Sequence, residues 1–130
     1  MDFPEELVWF KRAFAFSKRH IEIGSFGGKS LWASTCSMRD ACVYAVDPVN
    51  IPFPTMPDAR WLKTVLHETI RAMRERNPSL EIEHLQLDSV EASKQIEGPV
   101  DSVYIDGNHQ YEFVKADIEA WLPKIRAGGI

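Results

Sequence analysis

The chain has 130 residues, 45% of them hydrophobic, with 15 Lys and Arg against 19 Asp and Glu and a formal net charge of −4. Those figures describe one soluble domain, spanning residues 1–130, with a single core, and exclude a disordered tail or a fibre. The acidic balance offers no basic footprint for a phosphate backbone, which excludes nucleic acid as the primary partner, and no apolar run reaches the roughly 18 residues of a membrane span. The start, Met1-Asp2-Phe3-Pro4-Glu5-Glu6, lacks the basic and apolar regions of a signal peptide, so the cytoplasm is the expected location. Cys36 and Cys42 have neither CxxC spacing nor partners for zinc and read as buried free thiols.

Asp2 as N-cap, Pro4 in the first turn and Glu5-Glu6 at the positive end of the dipole predict a helix to about Lys18, with Leu7, Phe10 and Phe14 as its buried stripe. His20-Ile21-Glu22-Ile23-Gly24 then reads as a strand ending in a glycine turn, and a helix from Lys29 to about Met38 follows. Val43 to Asp47 is a second, largely apolar strand, as expected in a parallel sheet covered on both faces. The prolines at 48, 52, 54 and 57 make the next stretch a loop, and its Ile51, Phe53 and Met56 suggest one that packs or covers something.

Asp58 caps a long helix to Arg76 whose Leu62, Leu66, Ile70 and Met73 share one face. Leu80 to Leu87 is β-like, a short polar helix follows Ser89, and Val100 to Ile105 is a further strand. The last helix runs from Glu112 to Ile125, with Val114, Ile118, Trp121 and Leu122 on one face. Trp9, Trp32, Trp61 and Trp121 all fall on helices and read as core. His67 and His84 read as surface or hydrogen-bonded side chains.

Strand and helix alternate four times after the first helix, which is the signature of an α/β three-layer sandwich, Rossmann-like, with a mostly parallel sheet and right-handed crossovers. The chain stops at Gly128-Gly129-Ile130, where a fifth strand would begin, so the sheet is expected to be incomplete at its C-terminus, its open edge available for pairing into a homo-oligomer. In open sheets of this kind ligands bind beyond the carboxyl ends of the strands. Four such ends carry polar or glycine-rich groups: residues 22–30, Asp47-Pro48, Asp88-Ser89 and Asp106-Gly107-Asn108-His109.

The glycines at 24, 27 and 28 permit a tight turn and close approach of a ligand, although the spacing is neither GxGxxG nor that of a triphosphate-binding P-loop. Strand-to-helix packing alone would also explain them. Asp47, nineteen residues beyond Gly28, suits the two hydroxyls of a ribose, with a second reading as a turn starter before Pro48. For Asp88-Ser89, helix capping and ligand contact weigh equally. His109 has the pKa class of a general base, but a histidine in such a turn is often a loop residue bonded to backbone.

These segments, Glu22-x-Gly24-Ser25-x-x-Gly28-x-Ser30, Val46-Asp47-Pro48, Asp88-Ser89 and Tyr104-Ile105-Asp106-Gly107-Asn108-His109-Gln110-Tyr111, with Asp117, Trp121 and Gly128-Gly129 downstream, resemble class I S-adenosylmethionine-dependent methyltransferases. Within that class the chain is most similar to small-molecule and sugar O-methyltransferases of the macrocin O-methyltransferase kind. The resemblance implies that Glu22, Gly24, Ser25, Gly28 and Ser30 surround the methionine part of S-adenosylmethionine, that Asp47 holds the ribose, and that Asp88 and Ser89 lie by the adenine. It further implies Asp106 as a magnesium ligand, His109 as the base and a small hydroxylated molecule as acceptor. Enzymes of that kind continue with further strands that supply more acidic ligands, and Asp106 alone would hold Mg2+ poorly. Two alternatives remain at this level: a nicotinamide-dependent oxidoreductase, and a cofactor-binding or dimerising module without turnover.

Overall fold

The computed structural model describes residues 4–50 and 59–130. Expectations for Asp2 and for the loop residues 51–58, including the cap at Asp58, lie outside those residues. The elements are α1 (Pro4–Ala13), β1 (Arg19–Ile23), α2 (Lys29–Thr35), β2 (Ala41–Val46), α3 (Ala59–Arg76), β3 (Leu80–Leu85), α4 (Ser89–Gln95), β4 (Ser102–Ile105) and α5 (Tyr111–Trp121), followed by a 3-10 turn at Leu122–Lys124. The four strands form one sheet in the order β3-β2-β1-β4, and every pairing is parallel.

Helices cover both faces, as the apolar strands require. On one face Phe10 of α1, Phe14 just beyond it, Leu31 of α2 and the Leu62, Leu66, Ile70 and Met73 stripe of α3 pack on Val43, Ala45 and Ile82. On the other, Ala92 and Ile96 at the end of α4 and Trp121 of α5 pack on Ile21, Ile23, Val46 and Val100. The α/β three-layer, Rossmann-like sandwich expected from the alternation is the observed architecture, with a short parallel sheet. Among the described residues, no helix is long and apolar enough to cross a membrane.

Several boundaries differ from the sequence expectation for identifiable reasons. α1 ends at Ala13 rather than near Lys18 because the Asp101 carboxylate accepts the backbone N–H groups of Lys18 and Arg19, at 2.7 and 2.8 Å, and draws the chain into β1. β4 starts at Ser102; Val100 instead makes an isolated parallel bridge with Ile125. α5 yields to the 3-10 turn at Leu122-Pro123, where proline cannot continue the hydrogen-bond ladder.

The buried stripe of α5 is also rotated. Asp117 and Trp121 face inward while Ile118 and Leu122 are exposed, because the Trp121 indole N–H is anchored on Ser89 Oγ at 2.8 Å. Trp9 and Trp61 are exposed rather than core, and Cys36 and Cys42 are free but only half-buried. Ile130 does lie alongside β4: its N–H donates to the Asp101 carbonyl at 3.1 Å and its carbonyl accepts from Val103 N–H at 2.9 Å.

Candidate functional site at the strand ends

The chain passes from β1 outward to β2 and β3, then returns to place β4 on the other side of β1. That reversal opens a crevice between the carboxyl ends of β1 and β4. Ile23 is in register with both Val46 and Ile105, and Val46 with Leu85, so the residues just past these strands form one row. Backbone bonds extend the row: Gly24 N–H to Val46 carbonyl at 2.8 Å, Asp106 N–H to Ile23 carbonyl at 2.9 Å and Asp47 N–H to Leu85 carbonyl at 3.1 Å. An open cleft of about 1440 Å³ lies over this row.

The turn after β1 forms the cleft's floor. Gly24 has φ +81, and a Cβ there would stand 2.4 Å from the Asp106 carbonyl oxygen, so only glycine allows the β1 and β4 ends to approach this closely. Gly24, Ser25 and Ser30 line the cleft. Glu22 and Gly28 sit behind its wall. Gly28 faces Thr69 of α3, whose Cγ2 would be 2.7 Å from an added Cβ, and so serves helix packing.

Glu22 is fully buried. Its Oε1 accepts from Ser30 Oγ at 2.7 Å, and Ser34 Oγ lies 3.1 Å from Oε2. His20, equally buried, bonds Ser102 Oγ through Nδ1 at 2.7 Å, and its Nε2 stands 3.9 Å from Glu22 Oε2. A polar string thus runs beneath the cleft, ending on the cleft residue Ser30.

Asp47 also lines the cleft. Its Oδ2 accepts Phe26 N–H at 2.7 Å and its Oδ1 accepts Val49 N–H at 2.8 Å. Both partner residues have positive φ, 48° and 53°, which is costly for a side-chain-bearing residue and is held here by the carboxylate. Behind Asp47, His84 Nε2 bonds its carbonyl oxygen at 2.9 Å, and His67 Nε2 lies 3.0 Å from His84 Nδ1.

Asp88 and Ser89 line the cleft from the start of α4. Asp88 is the N-cap, its Oδ1 accepting Glu91 N–H at 3.0 Å, so the capping role is realised. Ser89 accepts from Trp121 and donates to Asp117. Burial pushes the Asp117 carboxyl up, with the nearby Asp88 charge adding and the Ser89 hydrogen bond opposing.

At the β4 end, Asp106 Oδ1 is 3.2 Å from Nε2 of the well-exposed His109. Burial first, then the charges of Asp106, Glu22 and Glu6, push the Tyr104 phenol up to about 12, so it stays protonated at neutral pH. Among the described residues no three His, Cys, Asp or Glu side chains gather as a metal site, and Asp106 is the carboxylate that the β4 end brings to the cleft.

Sequence reasoning did not assign Glu6, Trp9, Phe10, Tyr104, Phe113 or Asp117 to the site, yet all line the cleft. Of these, Tyr104 and Asp117 carried a prior signal, as parts of the motif at the β4 end and of the segment downstream of it. Tyr111, three-quarters exposed on α5, is not among the lining residues.

The arrangement defines a Rossmann-like domain with a ligand cleft at the sheet's switch point. A family model described as a methyltransferase domain matches residues 21–130, and the chain belongs to that family. No curated protein matches the sequence. Among solved structures it is similar to the Podospora anserina methyltransferase PaMTH1 in its SAH-bound form, at 18% identity and a TM-score of 0.66 over 99% of this chain and 51% of that one. It is similar also to a putative caffeoyl-CoA O-methyltransferase from Staphylococcus aureus, at 15% identity and 0.70 over 99% and 56%. A third is the O-methyltransferase from Bacillus cereus in complex with SAH, at 16% and 0.64 over 93% and 53%. At these identities the likeness is one of fold, and the chain spans about half the length of each.

Proposed function

We propose that the cleft binds S-adenosylmethionine and supports methyl transfer to a hydroxyl of a small molecule. The observation that carries this reading is convergence: in a methyltransferase-family chain, the Gly24 turn, Asp47, Asp88-Ser89 and the Asp106–His109 pair all reach one cleft. Asp47 would hold the ribose hydroxyls with the carboxylate lone pairs left over from its two backbone bonds. Gly24, Ser25 and Ser30 would contact the methionine part, with Glu22 and Gly28 acting from behind by fixing Ser30 and the turn. Asp88 and Ser89 would border the adenine.

The co-substrate supplies an electrophilic methyl on sulfur. His109 would accept the acceptor's hydroxyl proton as the oxygen–methyl bond forms and the sulfur–methyl bond breaks, leaving S-adenosylhomocysteine and a methyl ether. Asp106 orients the imidazole through the 3.2 Å contact. The nicotinamide alternative finds no support in the family match.

Calorimetry with S-adenosylmethionine, S-adenosylhomocysteine and NADH tests the reading. Saturable binding of the first two and none of the third supports it, as does loss of methyl transfer in His109→Gln with S-adenosylhomocysteine binding retained. Binding of NADH alone would overturn it.

A further inference from the structure

The geometry points to an acceptor subsite for an aromatic ring carrying a protonated amine, at the end of the cleft between α1 and the end of β4; this inference rests on the methyltransferase reading. The cleft's volume of about 1440 Å³ exceeds the roughly 300–1,000 Å³ of a single small-ligand pocket, so it has room for an acceptor beside a nucleoside.

Trp9 marks where that acceptor lies. It lines the cleft and is 53% exposed, although Phe10 on the same helix and Phe14 just past its end are buried. Edge-on contacts at 5.3 Å to Phe10 and 5.9 Å to Phe14 hold the indole in place, and Phe10 in turn packs edge-on against Tyr104 at 4.9 Å. Trp9 therefore belongs to the Tyr104, Asp106 and His109 end of the cleft. Phe113, also 53% exposed, adds a second ring from α5.

The described lining of the cleft is mainly acidic. The described cleft residues include the carboxylates of Glu6, Asp47, Asp88, Asp106, Glu112 and Asp117, against Lys29 as their one Lys or Arg. Asp47 is engaged by backbone amides, Asp88 by Glu91 N–H, Asp106 by His109 and Asp117 by Ser89, while Glu6 adds its charge beside the Tyr104 phenol and Glu112 stands in the first turn of α5, three residues past His109. A cleft lined by one sign of charge concentrates counter-ions, and an indole face attracts a cation. Phosphorylated, carboxylated or CoA-linked acceptors meet repulsion in the same place. The neutral Tyr104 hydroxyl bonds Asp106 and keeps its oxygen lone pairs as acceptors.

The test uses protein saturated with S-adenosylhomocysteine, whose sulfur is uncharged, so that no sulfonium competes with the probe's ammonium at the acceptor end. Tyramine, 4-ethylphenol and 3-(4-hydroxyphenyl)propionate are titrated by NMR at low and high salt. Tyramine is expected to bind about tenfold more tightly than the propionate, with ethylphenol between them and the preference shrinking in salt. The exposed double variant Glu6→Gln/Glu112→Gln should reduce the preference at least about threefold, and Trp9→Ala should weaken all three probes. Equal affinities, a preference for the propionate, or competition between tyramine and S-adenosylhomocysteine would overturn the assignment. Failure of S-adenosylhomocysteine to bind would defeat the methyltransferase reading instead, and the probe series repeated without it would still decide the charge preference.

Discussion

Ser30 Oγ donates to Glu22 Oε1 across 2.7 Å, joining a residue of the cleft to a carboxylate with no solvent exposure. The bond fixes the first turn of α2 against the end of β1. Replacing Glu22 by Ala would leave a cavity and remove the acceptor for Ser30, so a loss of about 2–4 kcal/mol is expected in urea unfolding. Glu22→Gln keeps the shape and one acceptor oxygen and should cost about 1–2 kcal/mol. An Ala variant as stable as the parent would show that the string beneath the cleft is not structural.

Gly24 and Gly27 differ in what surrounds them. Gly24→Ala would set a methyl 2.4 Å from the Asp106 carbonyl at a φ of +81, so a loss of about 3 kcal/mol or more is expected, or no folding at all. At Gly27 the nearest neighbour is the Val65 Cγ1 at 3.4 Å, and Gly27→Ala should change thermal stability by less than about 0.5 kcal/mol. Similar effects at both positions would contradict the strand-end packing described above.

Asp47 restrains two left-handed residues at once through Phe26 N–H and Val49 N–H. Asp47→Ala frees both, and under the proposed function it also removes the ribose partner. Affinity for S-adenosylhomocysteine should fall at least tenfold, about 1.4 kcal/mol, with a lowered melting temperature. Asp47→Asn, which keeps one acceptor oxygen, should fall between. Unchanged affinity in the Ala variant would remove Asp47 from the binding site.

The His67–His84–Asp47 chain predicts a pH dependence. With His84 Nε2–H donating to the Asp47 carbonyl, His84 Nδ1 is left to accept from His67 Nε2–H. Burial, then the neighbouring His84, Lys63 and Arg74, hold His67 below its ordinary value of 6.5. A base whose folded pKa is depressed contributes stability that is full above the unfolded value and fades as pH falls through the folded one. The urea midpoint should therefore drop from pH 7.5 to below pH 6, and His67→Gln should flatten that drop. A parallel drop in both proteins would assign it to other groups.

Element order and core stripes were legible in the sequence because burial imposes its period locally. Leu62, Leu66, Ile70 and Met73 recur at helical spacing and are buried together in α3. Element ends were less legible. α1 stops where Asp101, more than eighty residues away, captures Lys18 and Arg19, and the facing of α5 follows from Trp121 reaching Ser89. Of the candidate site, Asp47, Asp106 and His109 were visible as polar residues at strand ends. Trp9, Phe10 and Glu6 were not, since a helix preceding the first strand carries no mark of the strand end it will cover.

The sequence by itself determined that strands and helices alternate, that the strands are apolar enough to be covered on both faces, and that chemistry-bearing residues follow them. Only the tertiary structure decided that β4 lies beside β1, opposite to β2 and β3. That order depends on register between segments far apart in the chain, Ile23 against both Val46 and Ile105, and on a Gly24 that tolerates the Asp106 carbonyl at close range. Hydrophobic periodicity reports which side of a segment is buried but not which segment buries it, and the cleft is made by that second choice.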